Sequence, residues 1–233
     1  MTLEESYFRR RRFVPERMLE YGFSETDSGY TLESVLEDCG FSARLTVSSE
    51  GKVKGVVWDP LNEEPYTLFR SDSQNGPFVS TVRSAYTRFL DSVSSQCCEL
   101  LPFGSDQANR IAEWVRIRYG IEPDYPFDEE PYRTTGVFRH PDSRKWFGLV
   151  MEVPRKKLFR NRNEEPVSVL NVKADSLKIP LITERDGFFQ AYHMSKRNWI
   201  SILLDDTLED ETVQAALTDS YELTLSHKKG KTK

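Results

Sequence analysis

Short runs of alternating apolar and polar residues are the feature that most limits the folds open to this chain. Four such runs lie in the first third of the sequence, at residues 30–32, 43–47, 52–58 and 66–69. A period of two places alternate side chains on one face of a β-strand. Residues 48–51 and 59–62 are rich in Ser, Gly, Asp, Pro and Asn, which form turns. The pattern predicts an antiparallel meander with one apolar face.

Helical periods flank this meander. Residues 4–21 are predicted to be helical, with Pro15 in a first turn and Gly22 as the stop. Residues 78–98 repeat apolar side chains every three or four positions, as expected of a helix that covers the sheet. Proline and glycine then interrupt the pattern at residues 100–104. We therefore place a first domain at residues 1–103.

The rest of the chain is also predicted to contain both helices and strands. A helix is predicted at residues 107–119, and another begins at Asp210. Strands are predicted at residues 136–139, 145–153, 167–172, 191–194 and 199–204. The fold class is therefore α+β, with two antiparallel-sheet parts that are each packed with helices. Residues 104–225 form the second domain and residues 226–233 a basic tail.

Charge and cysteine content narrow the functional classes. The net charge is −5, and the acidic excess lies wholly in the first 103 residues, which carry 16 acidic and 11 basic residues. The remainder carries 21 of each, so a nucleic-acid contact needs a local basic face. Cys39, Cys97 and Cys98 fit neither a disulfide framework nor a metal motif. We expect a cytoplasmic protein without a membrane segment.

Two segments concentrate basic residues in the second domain. Residues 155–162 hold several bases, for which a solvated loop is the ordinary interpretation. Residues 192–199 combine Tyr192, His193 and Trp199 with Lys196 and Arg197. Such residues can stack on bases and bind phosphates, but the rings can equally belong to the core. Spacing alone leaves both interpretations open.

Catalysis has little support in the sequence. His193 lies near Lys196 in the chain but lacks a neighbouring nucleophile and an orienting acid. His140, His193 and His227 do not have the spacing of a zinc site, and no glycine-rich phosphate motif occurs. We expect a protein that is not an enzyme and that binds no metal or cofactor.

Residues 191–200 read Ala-Tyr-His-Met-Ser-Lys-Arg-Asn-Trp-Ile, and this run resembles the signature of the MmcQ/YjbR family. Other segments follow in the order typical of that family. They are residues 119–120, 126–127, 137–139, 145–147, 169–173 and 219–221. The resemblance covers about residues 105–225. The first domain resembles the N-terminal extension of longer members.

The resemblance implies a fold like that of frataxin and CyaY, with a double-wing arrangement proposed to bind DNA. Ser195 departs from the family pattern, in which Asn is more usual at that position. The implied function is non-enzymatic binding of double-stranded DNA. The expected contact residues include phosphate donors, rings that shape the site and a flanking basic surface. They are Lys173, Lys196 and Arg197; His193 and Trp199; and Lys145, Arg155, Lys156, Lys157, Arg160 and Arg162.

Two alternatives remain open at this point. The first domain can act as a protein-interaction or homodimerisation module through an exposed edge of its sheet. A small-molecule site or an enzyme centred on His193 and Lys173 is the other alternative.

Overall fold

The chain divides into two α+β units, Met1–Leu101 and Pro102–Lys233. The computed structural model describes residues 2–71, 73–159 and 162–225. The predicted basic tail, residues 226–233, lies outside the described residues. Within those ranges, no helix has the length and apolar character needed to cross a membrane.

The first unit is a five-stranded antiparallel meander with a long helix on one face. Its elements are α1 (Leu3–Tyr7), β1 (Arg11–Phe13), α2 (Pro15–Tyr21), β2 (Ser24–Thr26), β3 (Gly29–Leu36), β4 (Phe41–Ser48), β5 (Val53–Asp59), β6 (Glu64–Pro65), α3 (Pro77–Cys97) and β7 (Cys98–Leu100). Strands β2 to β6 pair in chain order, which confirms the predicted meander. Burial alternates along β4, and Leu45 and Val47 share a core with Val82 and Tyr86 of α3.

The predicted helix at residues 4–21 is wrong in its middle. Helices α1 and α2 are separated by β1, which pairs antiparallel with β7. The residue before a proline is disfavoured in the helical region, and Val14 before Pro15 is extended. Arg9–Arg12 also offers no apolar side chain that would bury a helical stripe. Pairing with β7 satisfies this backbone instead.

The predicted strand at residues 66–69 is also wrong, because Leu68–Arg70 forms a 3₁₀ turn. Over only four residues, the alternation of a strand cannot be distinguished from a tight turn that buries one ring. Phe69 is the buried ring here. The turn directs Arg70 towards Glu4.

The second unit is a five-stranded antiparallel sheet with two different faces. Its elements are α4 (Asp106–Tyr119), β8 (Gly136–Arg139), β9 (Trp146–Pro154), α5 (Lys156–Phe159), β10 (Pro166–Lys173), α6 (Ile179–Ile182), β11 (Phe188–Gln190), β12 (Trp199–Leu203) and α7 (Asp210–Thr224). The strand order is β11-β12-β10-β9-β8.

Helices α4 and α7 cover one face of this sheet, which we call the helix face. Leu170 and Val172 of β10 enter its core. The opposite side, the loop face, carries a smaller apolar cluster that includes Val169, Met151 and Leu203. Side chains from the connecting segments, Phe127, Leu158, Tyr192 and Met194 among them, pack against it.

One strand of the second sheet was placed wrongly by the sequence pattern. Residues 191–194 form a bend rather than a strand, and the edge strand is β11, a few residues earlier. Gln190 pairs with Ile200, and beyond that point the chain leaves the ladder. The other strands and both long helices are confirmed within one or two residues.

A buried ion pair ties α1 to the first sheet. Glu4 is 1% exposed, and Arg70 donates two hydrogen bonds to its carboxylate, at 2.6 and 3.1 Å. The Tyr86 hydroxyl donates a third at 2.6 Å. Burial alone raises the pKa of Glu4, but the bonds from Arg70 and Tyr86 hold that pKa below its ordinary value. Gly55 is required here, because a Cβ atom would lie 1.8 Å from the Tyr86 hydroxyl oxygen.

We predict that Glu4→Gln lowers the free energy of unfolding by about 3 kcal/mol, because it leaves the Arg70 charge without its buried partner. Glu33→Gln is the matched control, since Glu33 and its partner Arg44 are each 63% exposed. The control is expected to cost less than about 1 kcal/mol. Urea unfolding at pH 7 measures both changes, and equal losses would contradict the prediction.

The cost of Glu4→Gln is expected to depend on pH. Because the folded pKa of Glu4 is lowered, its charged form stabilises the fold fully above its ordinary value of 4.5. That contribution is lost as the pH falls through the lower folded pKa. The difference between wild type and Glu4→Gln should therefore shrink in acid, as measured by urea unfolding across pH.

Candidate functional site

The segment of residues 191–199 is held against the loop face by two buried polar side chains. Asn171 of β10 and Ser201 of β12 lie directly opposite each other in the ladder, and both are fully buried. The Ser201 hydroxyl donates to Asn171 Oδ1 at 2.5 Å. The Tyr192 N–H donates to Ser201 Oγ at 2.9 Å, and Asn171 Nδ2 donates to the Tyr192 carbonyl at 3.3 Å. The Asn171–Ser201 pair thus fixes both backbone groups of Tyr192.

This anchoring positions His193 on the surface. His193 is exposed and adopts a left-handed backbone with φ 58°, a conformation that costs energy in most residues. Its Nε2 lies 3.4 Å from the Tyr132 hydroxyl, and its ring meets the Tyr132 and Tyr192 rings edge to face. Burial raises the pKa of Tyr192, so that phenol is neutral at pH 7. His193 therefore contacts the phenols of Tyr132 and Tyr192.

Four of the predicted basic residues lie at one end of the second sheet. Lys173 ends β10 and pairs with Trp199, the first residue of β12. Lys196 and Arg197 form the turn that leads into Trp199, and the Ala174 N–H donates to the Asn198 carbonyl at 2.9 Å. Lys145 immediately precedes β9, whose Gly148 pairs with Val172 beside Lys173.

We call Lys145, Lys173, Lys196 and Arg197 the basic row. Lys173 is half-buried and the other three are exposed. In the part of the chain that the structure describes, none of the four side chains forms an ion pair. Their positive charges are therefore open to a ligand.

The other predicted bases that the structure describes lie at the opposite end of the sheet. Arg155 follows β9, whose Pro154 pairs with Pro166 at the start of β10. Pro166 and Lys173 are the two ends of the eight-residue strand β10, so seven steps of 3.4 Å place them roughly 24 Å apart. The predicted set of bases is thus divided between two ends.

Acidic neighbours already occupy part of this second group. Arg155 lies 3.6 Å from Asp205, and its guanidinium stacks 4.7 Å above the Phe159 ring. Lys156 forms an ion pair with Glu164. Lys157 and Arg162 are exposed, and Arg160 lies outside the described residues.

The two rings that flank the motif occupy different environments. Tyr192 packs against the apolar cluster of the loop face. Trp199 is half-buried and belongs to neither apolar cluster of the described second unit. Its ring is consequently available for stacking beside Lys173.

The two described histidines, His140 and His193, do not converge on a metal site. His140 is buried and contacts the Thr224 hydroxyl at 2.7 Å, with its ring against Phe147 and Tyr221. Burial lowers the pKa of His140, so it is neutral at pH 7. His227 lies outside the described residues. Among the residues that are described, no group of three His, Cys, Asp or Glu side chains is placed to hold a metal.

Sequence reasoning missed the Asn171–Ser201 pair. Asn171 does leave a signal, because it is an amide inside the apolar run of residues 167–172. A polar residue at a predicted buried position requires a hydrogen-bond partner. Its partner could not be named, because only the register of β10 against β12 brings Ser201 opposite to it.

Comparisons with known proteins place the second unit among relatives. A family model described as YjbR matches residues 118–223. The uncharacterised protein YyaQ of Bacillus subtilis is 32% identical over 114 residues, which are 49% of this chain and 94% of the relative. A crystal structure of a Pseudomonas syringae protein is 29% identical with a TM-score of 0.47, covering 50% of this chain and 97% of that one. A solution structure from the same organism gives 27% identity and a TM-score of 0.45, with coverages of 52% and 98%.

We predict that Ser201→Ala lowers the free energy of unfolding by about 1–2 kcal/mol, because Asn171 and the Tyr192 N–H lose their shared partner. Amide hydrogen exchange in residues 191–199 should also accelerate. Ser168→Ala is the matched control: Ser168 is buried in β10, but its hydroxyl has no hydrogen-bond partner among the described residues. The control should be neutral or stabilising, with unchanged exchange. Similar behaviour of both variants would contradict the role given to the pair.

Proposed function

The chain belongs to the YjbR family, and on that premise we propose that it is a non-enzymatic protein that binds double-stranded DNA through the basic row. The observation that carries the proposal is that the row gathers four bases, from three separate segments of the sequence, at one end of one sheet. Exposed bases without acidic partners are the groups that bind phosphates.

The spacing of the row suits a phosphate backbone. Lys145, Lys173 and the Lys196–Arg197 turn belong to three neighbouring strand positions, β9, β10 and β12. Two strand spacings span roughly 10 Å. Phosphates follow one DNA strand at about 3.4 Å of helix axis each, so the row can face about three of them. Trp199 beside Lys173 adds an apolar ring to this surface.

The surroundings of His193 favour a binding role over catalysis. A general base must reach the proton that it abstracts, and a nucleophile needs such a base beside it. The polar contact of His193 is the Tyr132 hydroxyl, and its ring partners are Tyr132 and Tyr192. The cavity that Lys173 lines has no contribution from His193, which removes support from an active site shared by the two.

We predict that the double variant Lys196→Ala/Arg197→Ala binds a fluorescein-labelled duplex at least about tenfold more weakly than wild type at low salt. In a plot of the logarithm of affinity against the logarithm of salt concentration, the wild-type slope should be about −3 for the roughly three phosphates that the row can face. The variant should lower the magnitude of this slope by about 2. Fluorescence anisotropy titrations at several salt concentrations measure both quantities.

Lys157→Ala/Arg162→Ala is the matched control, because it removes two exposed charges from the opposite end of the sheet. It should keep nearly the wild-type affinity and slope. Equal losses in the two double variants would show that only the overall charge matters. An absence of binding to the duplex at low ionic strength would remove the proposal.

A second candidate function, self-association through the first unit, rests on the open face of its sheet. The outer strands β2 and β6 contain three and two residues, which leaves little edge for pairing. The face opposite α3 instead presents Val35, 65% exposed, and Trp58, 41% exposed, in one cross-strand row with Ser42. Exposed apolar side chains in a row are typical of an interaction surface.

Sedimentation of the full chain tests this second candidate. We expect a concentration-dependent dimer that dissociates at least about tenfold more readily in Trp58→Ser, since large aromatic anchors dominate interface energies. Leu61→Ser, which removes an 88% exposed side chain from a turn next to β5, is the control. A strictly monomeric wild-type chain would exclude self-association.

A further inference from the structure

The second unit contains a cavity of about 560 Å³ on its helix face, beside the end of β10. Apolar side chains from the sheet, α6 and α7 form much of its lining, namely Val172, Ile200, Ile182 and Ala216. Leu223 and Leu225 line it from the C-terminal part of the chain and are 51% and 43% exposed. The volume falls in the range of small-molecule sites, about 300–1,000 Å³.

Two carboxylates without partners border this apolar lining. Asp219 and Glu222 are three residues apart on α7, so they lie on one side of that helix. Within the described ranges, neither side chain forms an ion pair or a hydrogen bond. Both side chains are exposed, so they can meet a cation without first losing another partner.

The basic residues of the lining offset these charges only in part. Lys178 stands at the start of α6, and Asp175 lines the same cavity. Lys173 lines it at the end of β10, but side chains alternate along a strand. Lys173 lies two residues after Asn171, so its side chain points to the same face of the sheet, which is the loop face. Its partner Trp199 lies on that face as well. The side chains around the cavity are thus three acids, Asp175, Asp219 and Glu222, and one base, Lys178.

We propose that this cavity binds a small organic cation with an apolar body, such as an alkylammonium ion, whose charged head lies between Asp219 and Glu222. The apolar lining and exposed leucines take up the hydrocarbon, since burying it is favourable by about 0.8 kcal/mol per CH₂ group. A metal ion fits less well, because it demands several converging ligands and cannot use the apolar walls.

Octylammonium is the probe, and octanoate, which has the same chain with the opposite charge, is its comparison. Isothermal titration calorimetry of the full chain should show saturable binding of octylammonium and weaker binding of octanoate. In ¹H–¹⁵N correlation spectra the largest shifts should fall on the lining residues. Asp219→Asn/Glu222→Gln should weaken octylammonium roughly five- to tenfold, as expected for two exposed charge contacts.

Glu209→Gln/Glu211→Gln provides the matched control, because it removes two exposed acids from the other end of α7. This control should leave the affinity for octylammonium within about twofold of wild type. The proposal is overturned if octanoate binds as tightly, if both double variants lose affinity equally, or if octylammonium shows no saturation. Thermal unfolding of each variant verifies that the fold is intact.

Discussion

The double burial of strand β10 is the constraint on which the second unit depends. The strand lies between β9 and β12, so both edges of its backbone are hydrogen-bonded. Leu170 and Val172 enter the core of the helix face, and Val169 enters that of the loop face. A slip of one residue would exchange the two sets and bury Lys173 under the helices. The register of β10 is therefore strongly determined. It fixes which side chains lie at each end of the second sheet.

Register also explains how one amide organises a surface loop. Asn171 lies on the face of β10 that the long helices leave uncovered, opposite Ser201. Buried polar atoms must find partners, and the backbone of Tyr192 supplies them. The position of His193 and the route of the chain to Trp199 follow from these bonds. The family-like run of residues 191–200 thus owes its shape to a residue some twenty positions earlier.

Local periodicity was enough to predict most strands and helices, because each buries a side-chain stripe of its own period. It failed where a distant partner decides the conformation. Arg11–Phe13 is a strand because β7 pairs with it, and the turn at Leu68–Arg70 is stabilised by the ion pair of Arg70 with Glu4. Both partners lie more than 60 residues away in the sequence, beyond any window in which a period can be counted.

The candidate site shows the same division between local and distant information. The bases of residues 192–199 were found because they are adjacent in the sequence. Nothing local indicates that Lys145 belongs with them, or that Lys156 is paired with Glu164. The length of β9 determines which bases lie at the same end of the sheet. Residues 155–162 follow the far end of this strand, whereas Lys145 precedes its near end. The cavity beside α7 was missed because its lining comes from four separate elements.

Because side chains alternate between the two faces of a strand, opposite charges can lie at the same end of the sheet without neutralising each other. Lys173 belongs to the loop face with Trp199, whereas α7 holds Asp219 and Glu222 on the helix face. Any carboxylate within about 8 Å of a phosphate held at Lys173 would still repel it, because charges interact over that distance at physiological salt. If both sites act as proposed, a cation in the cavity relieves that repulsion and strengthens DNA binding. Linkage then requires DNA to raise the affinity for the cation by the same factor, and added salt must weaken this coupling.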